Sequence, residues 1–298
     1  MSFEELVPAL IEAALGRRYT VGPQIAVGGQ GVVFRATRTS GPDHTAANDL
    51  VALKLYFYPG QAIRIQREIA AMESLSHPAL ARLVEHGYCE IAGKRTRYIA
   101  CEFIEGQSLK QRLNIGGRLL ESELLPIARD ISAAIAALWS RRIVHGDIKP
   151  SNIMLRDSGG AVLIDLGILR SFEEENAIRP LRPVSSFAPE QIRPWGTPGY
   201  FSPEQARGEM LSCASDIFSL GIVMLESLQG WHPTNYDQSA LADGIRASGR
   251  KLDVSTGLLS LLDKMLLPTP RSRGKLTKLS SYFQMLQQKL EEQFARGA

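Results

Sequence analysis

Two carboxylates, an amide and an ammonium crowd one stretch of this sequence. H-G-D-I-K-P-S-N occupies residues 145–152 and I-D-L-G residues 164–167. Asp147, Lys149 and Asn152 lie in a short polar loop between apolar segments, and Asp165 ends a strand-like run eighteen residues after Asp147. Carboxylate and amide oxygens suit a hard cation such as Mg²⁺, which also takes phosphate oxygens. A separate carboxylate can orient an attacking hydroxyl and accept its proton. The bland alternative, a polar loop with incidental charges, does not account for the order of these groups.

Two further constellations lie upstream. V-A-L-K, residues 51–54, ends an apolar strand on a lysine whose ammonium, if its stem is buried, needs an anionic partner. Glu68 follows fourteen residues later on a helix-like segment and is placed to be that partner. Such a pair can hold an ammonium against nucleotide phosphates; the other reading is an edge lysine reaching to water. I-A-V-G-G-Q-G-V-V-F, residues 25–34, sets Gly28, Gly29 and Gly31 between two strand-like runs. Glycine allows close approach of backbone N–H groups to phosphate oxygens, although by itself such a cluster is more often just a hairpin turn.

The elements that must carry these residues change character along the chain. Residues 3–16 read as a short amphipathic helix ended by Gly16, and Tyr19–Val27, Val32–Thr37 and Val51–Phe57 read as strands. Residues 61–75 have helical spacing, with Ile65, Ile69, Met72 and Leu75 on one face, and His77-Pro78 stops that helix. Strands are expected near 82–90 and 96–104. Beyond Gly106 the pattern turns helical: an Ala-rich helix over 122–140, strand pieces near Ile153–Leu155 and Ala161–Ile164, then mostly helices, ending with one over 281–295 that packs on the helical portion. A β-rich part joined to an α-rich part near Phe103–Gln107 implies a cleft, where ligand sites are favoured.

Composition narrows the class. The chain has 298 residues, 44% hydrophobic and 22% charged, enough for a sizeable core without staples. A net charge of +3, with signs mixed along the chain, argues against a nucleic-acid partner. Three cysteines, Cys89, Cys101 and Cys213, form no disulfide framework or zinc spacing and point to a reducing, cytoplasmic setting. The longest apolar runs, such as Ile217–Leu225, fall far short of the roughly 20 residues that span a bilayer. The N-terminus carries acids early and does not read as a secretory signal.

Taken in order, these motifs resemble the eukaryotic-type (Hanks-type) serine/threonine protein kinase family, over roughly residues 18–285. G-T-P-G-Y-F-S-P-E, residues 196–204, resembles the end of an activation segment. D-I-F-S-L-G, residues 216–221, resembles the aspartate that braces the catalytic loop, and Arg273 falls where the family pairs an arginine with the glutamate here at Glu204. The resemblance implies an α+β, bilobal protein-kinase-like fold: a β-rich N-lobe with one key helix over about 18–103, a hinge at about 102–107 and a mainly α-helical C-lobe over about 107–285. Residues 1–17 form an N-terminal helical extension and 286–298 a C-terminal helical tail. The implied cofactors are ATP and Mg²⁺, with Mn²⁺ an alternative. Ala26, Gly28 and Gly31 stand in the phosphate-covering loop, Val33 and Ala52 over the adenine ring, and Glu102 to Ile104 along it. Lys54, paired with Glu68, would bind the α- and β-phosphates, Asp147 would take the hydroxyl proton, Lys149 would steady the γ-phosphate, and Asn152 and Asp165 would hold metal.

The sequence departs from that family pattern at several places. Ala26 replaces the first loop glycine and Gln30 the usual tip aromatic. Gly146 stands where an arginine commonly meets an activation-loop phosphate, so control through Ser185 or Ser186 by that route is not expected. Leu166 replaces a phenylalanine, Phe218 a tryptophan, and small Cys101 gates the back of the nucleotide pocket. The long stretch from Asp165 to Glu204, with Pro180, Pro183, Pro189 and Pro194, is a candidate for ordering by a regulatory partner. The expected substrate is a protein hydroxyl. Two other readings stand beside it: a small-molecule kinase of the aminoglycoside or choline type, which shares the H-G-D triplet, and a nucleotide-binding scaffold without transfer.

Overall fold

The computed structural model describes residues 7–28, 31–39, 49–56, 62–166, 170–171, 196–233, 252, 254–273 and 278–297. These form two compact units, residues 1–76 with 81–105, and residues 77–80 with 106–298.

The first unit is built on an antiparallel sheet. Its strands are β1 (Tyr19–Gly28), β2 (Gly31–Arg38), β3 (Asp49–Tyr56), β4 (Leu83–Ile91) and β5 (Lys94–Glu102), ordered β1-β2-β3-β5-β4. Period-two alternation divides the sheet into two faces. Val32, Phe34, Val51, Leu53 and Leu55 are fully buried and share one face with Tyr98 and Ala100. A helix covers that face: α1 (Pro8–Ala14) places Ile11 at 0% exposure, with Leu15 just beyond it at 2%, in the same cluster.

Polar contacts close its margin. Glu12 accepts from the Val21 N–H at 2.7 Å. Arg18 caps the end of α1 through the Leu15 carbonyl and also reaches Glu85 and the Tyr98 hydroxyl. Burial alone would raise the Glu85 carboxyl, but hydrogen bonds from Tyr98 and Tyr19 and the Arg18 guanidinium hold it below its usual range.

The helix expected over 3–16 is therefore shorter within the described residues. Val7 is extended (φ −94°, ψ 143°) and Pro8 opens the first turn, where its missing N–H costs nothing. The other face of the sheet receives α2 (Ala62–Ser74), with Ile65, Ile69 and Met72 buried and Leu75 falling past its end.

The second unit begins with β6 (Gly106–Ser108) and α3 (Leu109–Gly116), whose N-terminus is a capping box between Ser108 and Gln111. The long helix α4 (Glu121–Ser140) buries Leu125, Ala128, Ile131, Ile135 and Leu138 completely, the stripe expected from its spacing. After it come β7 (Ile143–Val144), β8 (Ile153–Arg156), β9 (Ala161–Leu163) and β10 (Arg170–Ser171), pairing as β6-β8-β9 and β10-β7. Residues 77–80 belong here too, since Leu80 bridges Leu163.

Then follow α5 (Pro203–Ala206), α6 (Cys213–Gln229), α7 (Thr256–Met265) and α8 (Leu279–Gly297). Helix α6 is buried on every side from Ser215 to Leu228, which marks it as the centre of the unit. Ser212 caps its start and Gly230, left-handed at φ 82°, its end. Helix α8 starts two residues before the expected 281, packs along α4, and buries Phe283 and Leu286. No helix among the described residues is long and apolar enough to cross a membrane.

Because α1 closes the sheet's apolar face, Ile11→Ala is expected to lower stability by about 2–5 kcal/mol. Denaturant titration of the full chain checks this.

Candidate active site

In the first unit, sheet register places the candidate nucleotide residues together. Directly opposed residues of antiparallel strands lie on the same face. Ala26 pairs with Val33, Val33 with Lys54, and Ala52 with Cys101, so all five share the face opposite α1. Lys54, with its side chain 15% exposed, meets Glu68 at 3.5 Å. Tyr56, two residues along the same strand and face, completes this cluster. Its hydroxyl donates to Glu68 at 2.7 Å, and the Lys54 ammonium lies 4.9 Å from its ring centroid. Sequence reading missed Tyr56, although the period-two step from Lys54 was a signal for it.

The glycines of residues 25–34 divide by role. A Cβ on Gly31 would sit 2.0 Å from the Leu55 carbonyl oxygen, so this glycine is required by the approach of β2 to β3. A Cβ on Gly28 would meet nothing within 4 Å. Gly29 and Gln30 lie outside the described residues. At the expected adenine edge, Glu102 N–H donates to the Arg82 carbonyl and Phe103 N–H to the Leu50 carbonyl. The N–H of buried Ile104 donates to nothing among the described residues.

In the second unit, the catalytic-loop residues converge on Asp147. One carboxylate oxygen accepts from the Thr197 hydroxyl at 2.8 Å; the other lies 2.7 Å from the Lys149 ammonium and 3.2 Å from the Asn152 amide nitrogen. Lys149 also donates to the Thr197 hydroxyl at 2.8 Å. Asn152 Nδ2 further donates to the Asp147 carbonyl, which leaves its Oδ1 as the oxygen available to a cation.

Asp165 is held beside this group through its neighbour. Ile164 N–H donates to the Asn152 carbonyl, and the Ile164 carbonyl lies 3.3 Å from His145 Nε2. His145 Nδ1 accepts from the Asp147 N–H, so its proton is on Nε2. Asp165 is exposed and left-handed at φ 62°. Among the described residues no group of three or more His, Cys, Asp or Glu side chains is arranged to hold a metal ion. One amide and one carboxylate oxygen fit magnesium only with phosphate oxygens and water completing its shell, which is how Mg²⁺ commonly binds beside a nucleotide.

Behind the loop, Asp216 is 1% exposed and accepts from the His145 and Gly146 N–H groups at 2.9 and 2.8 Å. Burial pushes its carboxyl up, while His145 and those N–H groups pull it back. Arg273 and Glu204 form a two-point ion pair at 2.6 and 2.7 Å, and the remaining Arg273 N–H groups reach the carbonyls of Leu267, Ala214 and Pro268. Phe218 lies under that guanidinium, 4.8 Å from ring centroid to Cζ. Tyr200 donates to buried Glu226 at 2.6 Å, a contact with no sequence signal. Ser185, Ser186, Pro180, Pro183, Pro189 and Pro194 lie outside the described residues.

A β-sheet unit carrying a Lys–Glu pair and a helical unit carrying this loop are the parts of a protein kinase. The protein kinase domain family matches residues 19–286, and the chain belongs to it. It is 32% identical over 214 residues to a probable serine/threonine-protein kinase of Streptomyces coelicolor, covering 72% of this chain and 30% of that protein. It is 32% identical over 234 residues to a probable serine/threonine-protein kinase PknB of Lactococcus lactis, covering 77% and 34%. With the serine/threonine-protein kinase PknB of Mycobacterium leprae it shares 28% over 266 residues, covering 87% and 41%. The matches thus span well under half the length of these curated relatives.

Although burial opposes it, the Arg273 guanidinium and the Ser215 hydroxyl hold Glu204 below its ordinary range. A depressed carboxyl contributes stability above its unfolded value and loses it as pH falls through the folded one. Arg273→Met removes the partner and leaves a buried carboxylate. The expected cost is about 3–5 kcal/mol at neutral pH, shrinking as pH falls toward 4.5, the ordinary value for this group. Urea midpoints of both proteins across pH 4.5–7 check it.

Proposed function

We propose that this chain transfers the γ-phosphoryl of ATP to serine or threonine hydroxyls of protein substrates. The observation that carries this is the Asp147 carboxylate held at once by Lys149, Asn152 and Thr197. In this reading residues 18–285 are the catalytic domain, flanked by an N-terminal helical extension over 1–17 and a helical tail over 286–298.

The substrate hydroxyl approaches the Asp147 carboxylate, which Lys149, Asn152 and Thr197 hold in place. As its oxygen bonds to the γ-phosphorus, its proton passes to the Asp147 carboxylate and ADP departs with the bridging oxygen. Lys149 holds charge on the transferring group. Lys54, kept in place by Glu68 and Tyr56, takes the α- and β-phosphates; Val33 and Ala52 lie over the adenine, and Glu102 to Ile104 line its edge. Ala26, Gly28 and Gly31 belong to the loop over the phosphates. Asn152 and Asp165 would hold magnesium, or manganese in its place, and the ion would supply neutralisation of phosphate charge. Most of the barrier reduction comes from positioning and charge.

The hydrogen bonds that join Thr197 to Asp147 and Lys149 favour a peptide-bound hydroxyl, since they set the segment carrying Thr197 beside the base. Cys89, Cys101 and Cys213 form no disulfide, in keeping with action in a reducing cytoplasm.

Asp147→Ala is expected to lower transfer by about 10²–10⁴-fold while leaving ATP binding intact. Lys54→Met should reduce transfer by about 100-fold or more. Radiolabelled ATP offered with a protein set, and separately with amino alcohols and aminoglycosides, tests the substrate class. Label only on the small molecules overturns the protein reading, and no label anywhere with Mg²⁺ or Mn²⁺ overturns transfer itself. Because Gly146 replaces arginine, the Ser185→Ala, Ser186→Ala double variant should retain wild-type kcat in the same assay.

A further inference from the structure

The peptide of Gly146 is held from both sides. Its N–H donates to Asp216, and its carbonyl accepts the Gln205 side-chain amide at 2.8 Å. Gln205 is 3% exposed and stands one residue past Glu204 on α5, whose capping Ser202 hydroxyl accepts from the Gln205 N–H. Gly196 closes against the same carbonyl. A Cβ there would lie 2.7 Å from the Gly146 oxygen, 2.8 Å from the Phe201 ring and 2.9 Å from Gln205 Nε2. Gly146 and Gly196 have φ of 73° and 111°, where a side chain is strained.

Each of these glycines precedes a residue of the site. Asp147 follows Gly146, Thr197 follows Gly196, and these two are joined by the hydrogen bond at 2.8 Å. We propose that Gln205 is a positioning residue: by donating to the Gly146 carbonyl beside Gly196, it holds residues 196–201 in register on the catalytic loop and so keeps Thr197 on Asp147. The clamp is made of an amide, a carbonyl and two bare glycine backbones. It therefore works without a charged group and without a phosphate.

The kinetic part rests on the phosphoryl-transfer reading; the clamp itself does not. Gln205→Met keeps the side-chain length and removes the donor, and Gly196→Ala pushes the segment off the same carbonyl. In the full chain both should lower kcat by at least about tenfold, with the KM for ATP within about twofold of wild type. Amide exchange at Gly146 and Tyr200 should speed up by about tenfold or more while protection along α6 stays at the wild-type level, which a general loss of stability would not leave. Wild-type kcat in Gln205→Met overturns the positioning role. If the wild-type chain transfers no phosphate, the phosphoryl-transfer reading falls, yet exchange still decides the clamp: unchanged protection at Gly146 and Tyr200 in both variants overturns it.

Discussion

The helical unit depends on one buried carboxylate. Asp216 lies inside a helix that is apolar nearly all round, where a charge is costly unless its oxygens are occupied. Both are, by the N–H groups of His145 and Gly146. Those two peptides cannot shift without stranding the carboxylate, so the catalytic loop is fixed to α6 at the point where its backbone turns left-handed. From there the order spreads by short steps. His145 receives the Asp147 N–H and reaches the Ile164 carbonyl, and Ile164 in turn donates to Asn152. The backbones around Asp147, Asn152 and Asp165 are thereby tied together by hydrogen bonds.

The same helix holds the segment that carries Thr197. Ser219 donates to the Tyr200 carbonyl, Tyr200 donates to Glu226, and Ser215 donates to Glu204. Arg273 is buried without cost in unmade bonds, because each of its five N–H donors has an acceptor. A polar seam along one side of an otherwise apolar helix gives the unit a single arrangement, since any slip leaves several buried groups without partners.

In the sheet unit, register does comparable work. The alternation that sends Leu53 and Leu55 toward α1 sends Ala52, Lys54 and Tyr56 the other way, and strand pairing brings Val33 and Cys101 beside them. A one-residue slip would bury the lysine under α1 and turn the apolar set outward. Closing the apolar face with α1 is thus part of what keeps the Lys54–Glu68–Tyr56 cluster in place.

The sequence by itself determined the elements and the chemistry-bearing residues. Sequence patterning placed α2, α4, β1 to β5, β8 and β9 to within a residue or two but did not anticipate the short β6, β7 and β10, and the order of Lys54, Glu68, Asp147, Asn152, Asp165, Glu204 and Arg273 carried the resemblance. Local rules were enough because each of those signals is contained in a short window. Tertiary structure alone decided what joins distant windows. Lys149 and Thr197 are 48 residues apart, and Gln205 and Gly146 are 59 apart. Periodicity says nothing across such separations, since the contacts arise from how buried polar groups find partners once helices have packed. It also assigned Gly31 to a close strand approach, because steric limits set by neighbouring backbone are invisible until that backbone is in place.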